Sequence, residues 1–207
     1  KIKRTEVFER AIIKTPLKDF AKYLRGNALT GIERIGKLLI LSLKGGDRVL
    51  LTHLGMTGQL VYSHAGAELD KFTRVAFYFA DGSTLFFNDI RKFGYLKLAR
   101  EKNKNTIIAK SFGMDALSPH FTASKLKESL NRRKGSLLKA ALLDQKLLAG
   151  IGNIYADEIC FDAGILPSRK AGSLSRVEIS KLYRSTKKIL MNAVKNRGTS
   201  FKNYVDA

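Results

Sequence analysis

Cysteine is nearly missing from this chain of 207 residues: Cys160 stands alone. One thiol cannot build an internal disulfide framework or a cysteine-rich zinc site. Long apolar runs are missing too. None approaches the roughly 20 residues that a membrane helix needs, and the basic N-terminus has no apolar stretch of a secretory signal. An intracellular protein is the expectation. Histidine is scarce, with only His53, His64 and His120. No Ser-His-Asp signature, His-Glu-x-x-His or P-loop occurs, so no common hydrolase set is legible. Acidic residues are few: 18 Asp and Glu face 38 Lys and Arg, for a formal net charge of +20. A surface tuned for solubility needs far less and mixes its signs. The excess points to a polyanion partner, most simply nucleic acid, with a ribosomal-type basic protein as the competing reading.

Hydrophobic content, at 44%, is ordinary, and the length suits one large domain or two modest ones. The first half reads as β. The runs Ile32 to Leu43, "DRVLLTHLGM" and "GQLVYSH" are rich in Val, Ile, Leu and Tyr and bounded by Gly. "TRVAFYFADGSTLFFND" predicts a hairpin turning at Ala80-Asp81-Gly82-Ser83, and "KFGYLKLA" another strand. Pro16 to Leu24 predicts an early helix. The second half reads as α, with helical spacing from Thr122 to Leu148 broken near Gly135. A short helix is expected at "NIYADEICFDAGI", closed by Gly164. A long amphipathic one is expected after Ser175, with Glu178 completing a capping box and Gly198 following its end. The expected fold class is therefore α+β: a β-sandwich-like domain over residues 1–105, then a helical domain over 106–207. The boundary falls in Glu101 to Asn105 or just after "MDALSPH".

Five stretches carry chemistry. In "LLDQKLLAGIGNIYADEI" (Leu142 to Ile159) a Gly150-Ile151-Gly152-Asn153 break separates two helical runs. Peptide amides at a helix start lack intrahelical partners, and a glycine turn lets a phosphate approach the backbone. Asn153 suits either a helix cap or a phosphate contact; a plain packed turn is the equal alternative. Asp157 and Glu158, read as first-turn residues, are expected to point away from any phosphate. In "HLGMTGQL", Gly55 and Gly58 push Met56 onto a loop, where it serves as a wedge between base steps or as a core residue. In "NDIRKFG", an extended segment would point Arg91 and Phe93 the same way, with Asp89 pairing Arg91. "RRKGSLLK" supplies Arg132, Arg133, Lys134 and Lys139 for phosphate contact. "NRGTSFKNY" offers a substrate loop or a plain helix terminus.

Taken in order, "GKLLIL", "HLGMTGQL", "NDIRKFG", "FGMDALSPHF", "LKAALLDQKLLAGIGNIYADEICFDAGILP" and "RGTSFKNYVDA" resemble the formamidopyrimidine-DNA glycosylase family over nearly the whole chain. The "LLDQ…LAGIGNIYADE" match looks like that family's helix-two-turns-helix. "HLGMTG" with "RKFG" is similar to the branch acting on oxidised purines. The resemblance implies a base excision repair glycosylase and AP lyase that flips formamidopyrimidines or 8-oxoguanine out of duplex DNA. Its partner is damaged double-stranded DNA, it works as a monomer, and it resides in the bacterial cytoplasm with the nucleoid. Met56, Arg91 and Phe93 match the side chains that fill the gap left by the flipped base. Lys37 matches a lysine near the phosphate and the elimination chemistry. Asn153, Lys134 and His53 complete the implied DNA-binding set. Lys139 matches a lysine near the substrate, and Gly198, Thr199, Ser200 and Lys202 match the loop that closes over the base. The family's N-terminal proline nucleophile and the following glutamate have no counterpart here. Neither has its four-cysteine zinc finger, so no metal or cofactor is expected in this chain. Phe72 stands where a DNA-contacting histidine is common. The expectation is a fragment without normal glycosylase or lyase activity; a natural, non-catalytic damaged-DNA reader is the alternative.

Overall fold

A computed structural model describes residues 1–66, 68–196 and 198. The chain divides into two compact units, Lys1–Ile107 and Ile108–Ala207.

The first unit runs β1 (Ile2–Val7), α1 (Leu17–Leu24), β2 (Leu29–Ile35), β3 (Leu38–Leu43), β4 (Arg48–His53), β5 (Gly58–Ser63), β6 (Thr73–Phe79), β7 (Thr84–Asp89) and β8 (Tyr95–Arg100). The strands form two antiparallel sheets ordered β1-β6-β7-β5 and β2-β3-β4-β8. One core joins them: Ile2, Val75, Phe77 and Phe87 from the first sheet, Leu41, Leu50, Leu96 and Leu98 from the second, and Phe20 and Leu24 from α1. Each of these buried side chains contributes about 1.5–3 kcal/mol of transfer free energy. The unit is thus a sandwich with α1 packed into it.

The run Ile32 to Leu43 is not one strand. Gly36, at φ 56°, and Lys37 form a two-residue turn that splits it into β2 and β3. β1 escapes the apolar pattern because it is an edge strand on which only Ile2 is fully buried. The charged residues along it are what an edge tolerates. The β6–β7 turn forms at Ala80–Ser83 as its Asp-Gly predicts, with Gly82 at φ 87° and the Asp81 carboxylate accepting from Ser83 N at 3.0 Å.

Polar residues from Glu101 onward do not form a loop. They form a short 3-10 turn and then α2 (Lys104–Ser111), which crosses the division between the units. Lys104 fixes its start by pairing with Glu101 at 2.7 Å and Glu33 at 3.3 Å. None of its residues is buried, so no apolar period announces it.

The second unit contains β9 (Met114–Asp115), α3 (Ala123–Asn131), α4 (Leu138–Leu143), β10 (Leu148–Ala149), α5 (Asn153–Ala163) and α6 (Arg176–Lys195). Phe121, Leu126, Leu130, Leu138, Leu142, Ile159 and Leu182 lie in its core. β9 and β10 pair in parallel, a contact too short to leave a period in the sequence. Gly164 closes α5 in the left-handed conformation at φ 66°, and Ser175 with Glu178 completes the capping box of α6.

Candidate nucleic-acid interface

Met56 is 71% exposed and Phe93 56% exposed, so neither is a core residue. Arg91 joins them. Its Nη1 lies 3.2 Å from Met56 Sδ, and its guanidinium stands 4.7 Å over the Phe93 ring. Two glycines bring the loops together. A Cβ on Gly55 would sit 2.7 Å from Gly94 N, and a Cβ on Gly94 would meet Phe87 Cζ at 2.6 Å and His53 O at 2.8 Å. Only hydrogen fits at either position.

The Arg91–Phe93 segment is a turn rather than extended chain, because Lys92 adopts φ 59°. Its ammonium pairs with Glu9 at 2.5 Å. Arg91 and Phe93 still reach the same side, through the turn. Asp89 does not pair with the Arg91 side chain. It is fully buried beneath the turn. One oxygen accepts from Thr57 Oγ1 at 2.5 Å and Arg91 N at 3.2 Å, and the other from Gly94 N at 2.8 Å. Burial pushes this carboxyl up. The hydrogen bonds from Thr57 and from the Gly94, Arg91 and Lys92 amides outweigh that and hold it below the ordinary value. With both oxygens used by the turn, the guanidinium is left to the surface knot.

The second group lies at the ends of β3, β4 and β8. Register places Leu38 opposite His53 and His53 opposite Tyr95. The His53 and Tyr95 rings stack at 5.4 Å and 4°. Gly55 N donates to His53 Nδ1 at 3.0 Å, which assigns the ring proton to Nε2. Burial first, and then the charge of Lys37, lower the His53 pKa. Lys37 itself is solvent-accessible, yet partial burial of its ammonium lowers its pKa as well. The unfolded chain therefore binds more protons than the folded one between the lowered value and the ordinary 6.5. His53 thus adds stability above pH 6.5 that declines as pH falls toward the folded pKa. A nitrogen-detected NMR titration should show an Nε2–H tautomer with a midpoint below 6.5. A midpoint at 6.5 or above, or the Nδ1–H tautomer, would contradict this arrangement.

In the second unit Ile151 is fully buried and anchors the glycine turn in the core, while Gly150 takes φ 106°. Gln145 ties the turn down. Its Nε2 donates to Ile151 O at 2.8 Å and Leu143 O at 3.1 Å, and its Oε1 accepts from Gly150 N at 3.0 Å. Asn153 is exposed and is the first residue of α5. Gly152 is the cap, so the capping role of Asn153 does not hold. Amides at a helix start lack intrahelical partners and suit an anion.

Asp157 and Glu158 lie beyond the first turn of α5, and Asp157 pairs with Lys139 at 2.7 Å. Arg132 pairs with Glu128, and Arg133 with Asp144. Of that basic run, only Lys134 has no carboxylate partner among the described residues. Gly198, at φ 86°, is exposed and donates to Ala193 O; Thr199, Ser200 and Lys202 lie outside the described residues. Among the described residues no group of three or more His, Cys, Asp or Glu could hold a metal. The Cys160 thiol is buried, and burial, with a smaller effect of Asp157, pushes it up to about 11, so these residues do not fit a zinc site. No described helix is long and apolar enough to cross a membrane.

Sequence reasoning found the exposed trio and the turn, but it missed the parts that hold them. Asp89 serves backbone amides, where the sequence suggests the Arg91 side chain. Tyr95 and Gln145 were not singled out, although Gln145 lies within the "LLDQ" match.

Comparison with known proteins places both halves. The profile of the formamidopyrimidine-DNA glycosylase N-terminal domain matches residues 1–96, and that of the formamidopyrimidine-DNA glycosylase H2TH domain matches residues 112–204. The chain is 42% identical over 208 residues to the formamidopyrimidine-DNA glycosylase of Moorella thermoacetica, covering 100% of this chain and 75% of that protein. It is 37% identical over 199 residues to that of Listeria monocytogenes, covering 96% and 72%. Among solved structures it is similar to the Lactococcus lactis enzyme non-covalently bound to DNA containing an AP site, with TM-score 0.89 and 31% identity over 96% of this chain and 76% of that one. It is also similar to MutM in complex with DNA containing carbocyclic 8-oxo-G, with TM-score 0.91 and 31% identity over 98% and 75%.

Proposed function

This chain belongs to the formamidopyrimidine-DNA glycosylase family, a family of base excision repair DNA glycosylases, and we propose that it recognises oxidised purines in duplex DNA through two separate devices. The observation that carries the reading is the Met56–Arg91–Phe93 knot, three exposed side chains from two adjoining loops in which Arg91 touches both Met56 and Phe93. A base turned out of the stack leaves an apolar gap and an unpaired partner. Met56 and Phe93 fill the gap, and the Arg91 donors face the orphaned base edge. Lys37 and the His53 Nε2–H bind phosphate near the lesion, and Lys37 assists elimination at the abasic site. Asn153, Lys134 and the amides at the start of α5 grip the backbone. Lys139 and the stretch from Gly198 to Lys202 serve the flipped base, a reading that rests on the likeness to the family. The protein acts as a monomer on the chromosome in the bacterial cytoplasm.

Binding of this chain to a duplex bearing 8-oxoguanine, measured beside an undamaged duplex, tests the division of labour. Met56→Ala and Phe93→Ala should each lower lesion affinity about tenfold with little effect on undamaged DNA. Asn153→Ala should weaken both duplexes alike and reduce the slope of log K against log salt by about 0.9. Equal losses on both duplexes from all three variants would sink the wedge assignment.

A further inference from the structure

The last turn of α5 carries Phe161 with 87% of its surface exposed, the most exposed of the large apolar side chains in the described residues. It lines a groove against α6 with Lys181, Arg184 and Lys188. These three recur at helical spacing on one face of α6. Lys188 pairs with Asp162 at 2.5 Å, whereas Lys181 and Arg184 have no carboxylate partner among the described residues. Leu166, just past the Gly164 cap, is 68% exposed, and Val177, one turn before Lys181, is 65% exposed. The groove therefore sets one exposed ring beside cationic side chains, with Leu166 and Val177 exposed on the adjoining stretches of chain.

It is not a continuation of the phosphate grip. Phe161 lies eight residues past Asn153, about 12 Å along the helix axis. It sits at the C-terminal end, which has none of the free amides that a helix start offers a phosphate. Single-stranded nucleic acid needs successive aromatic platforms for successive bases, and here one aromatic ring is accompanied by aliphatic side chains. An acidic peptide meets both requirements. Its carboxylates would find Lys181 and Arg184 unpaired, and an apolar anchor would cover a ring that otherwise stays in water.

We propose that the outer groove between α5 and α6 docks an acidic segment of a partner protein that seats an apolar side chain on Phe161. The docking is compatible with simultaneous DNA binding, because Phe161 and Asn153 stand at opposite ends of α5.

Fluorescence anisotropy with the full chain tests this. The probe is a labelled peptide of aspartates and glutamates carrying two leucines, set against the same peptide with serines in place of the leucines and against a short oligothymidylate. The leucine peptide should bind, and the serine peptide should bind about tenfold more weakly. Phe161→Ser should weaken the leucine peptide by a similar factor while leaving duplex affinity unchanged. The double variant Lys181→Glu, Arg184→Glu should abolish peptide binding. The proposal is overturned if the leucine peptide does not bind or if the serine peptide binds as well. Tighter binding of the oligothymidylate, an effectless Phe161→Ser, or Phe161-dependent self-association seen by sedimentation would overturn it equally.

Discussion

Replacing Asp89 with Ala is expected to lower the stability of the Lys1–Ile107 unit by about 3 kcal/mol or more, because buried donors left without acceptors cost about 1–3 kcal/mol each. Two donors lose their partner, the Gly94 amide and the Thr57 hydroxyl, and the Arg91 amide is left with Thr57 alone. Thr57 Oγ1 also accepts from Arg91 N at 3.0 Å, so a loosened Thr57 frees the turn further. Asp89→Asn is the more informative variant. It keeps the volume and one acceptor, but in either orientation its NH₂ faces a backbone amide that only donates, Arg91 N on one side or Gly94 N on the other. The fold should survive with a smaller loss, while the preference for damaged over undamaged duplex collapses because Met56 and Phe93 no longer share a fixed base. Urea unfolding and paired binding isotherms measure the two effects. Wild-type stability in the Asn variant, or an intact lesion preference, would show that the carboxylate does not position the knot.

The same carboxylate has a pH signature. Its folded pKa lies below the ordinary aspartate value of 3.8. Its contribution is therefore fully present above that value and is lost as pH falls through the lower folded one. The Asn variant should lack this acid limb.

How far the sequence disclosed the molecule can be argued from these residues. β6 and β7 were legible because alternation and an Asp-Gly turn act locally. α6 was legible because a capping box and one apolar face define it along its whole length. β1 and α2 were not legible: one is a charged edge strand and the other a helix without a buried face. At the site, glycine spacing indicated that Met56 leaves the strand, and the structure puts it in solvent. The Asp89 latch was hidden because its partners are amides, and every residue carries an amide. Nothing in "NDIRKFG" distinguishes a carboxylate that binds a side chain from one that binds a turn; the positive φ of Lys92 decides it. The ion pairs of Arg132, Arg133 and Lys139 were not legible, because sequence shows charge but not the carboxylate folded beside it.

Gln145 separates two roles that a binding assay alone would merge. Its side chain bridges the end of α4 to the glycine turn, holding Gly150 N, Ile151 O and Leu143 O at once. Around it the backbone has no slack: Gly113 N donates to Gln145 O at 2.8 Å, and a Cβ on Gly113 would sit 2.4 Å from Leu147 O. Gln145→Ala should therefore lower the stability of the second unit by about 2–4 kcal/mol, since one partly buried amide donor and two carbonyls lose their partner together. It should also weaken damaged and undamaged duplex alike, about tenfold, because the start of α5 is no longer held where its amides can meet a phosphate. Asn153→Ala removes a contact from an exposed side chain, so it should weaken both duplexes without moving the unfolding midpoint. Gln145→Glu sharpens the comparison. It retains an acceptor for Gly150 N but sets a carboxylate oxygen against the Ile151 and Leu143 carbonyls, so it should rescue neither stability nor binding. An unfolding midpoint for Gln145→Ala equal to that of the wild type would break the claim that this side chain holds the turn. A destabilised variant with undiminished duplex affinity would break the link between the turn and the grip.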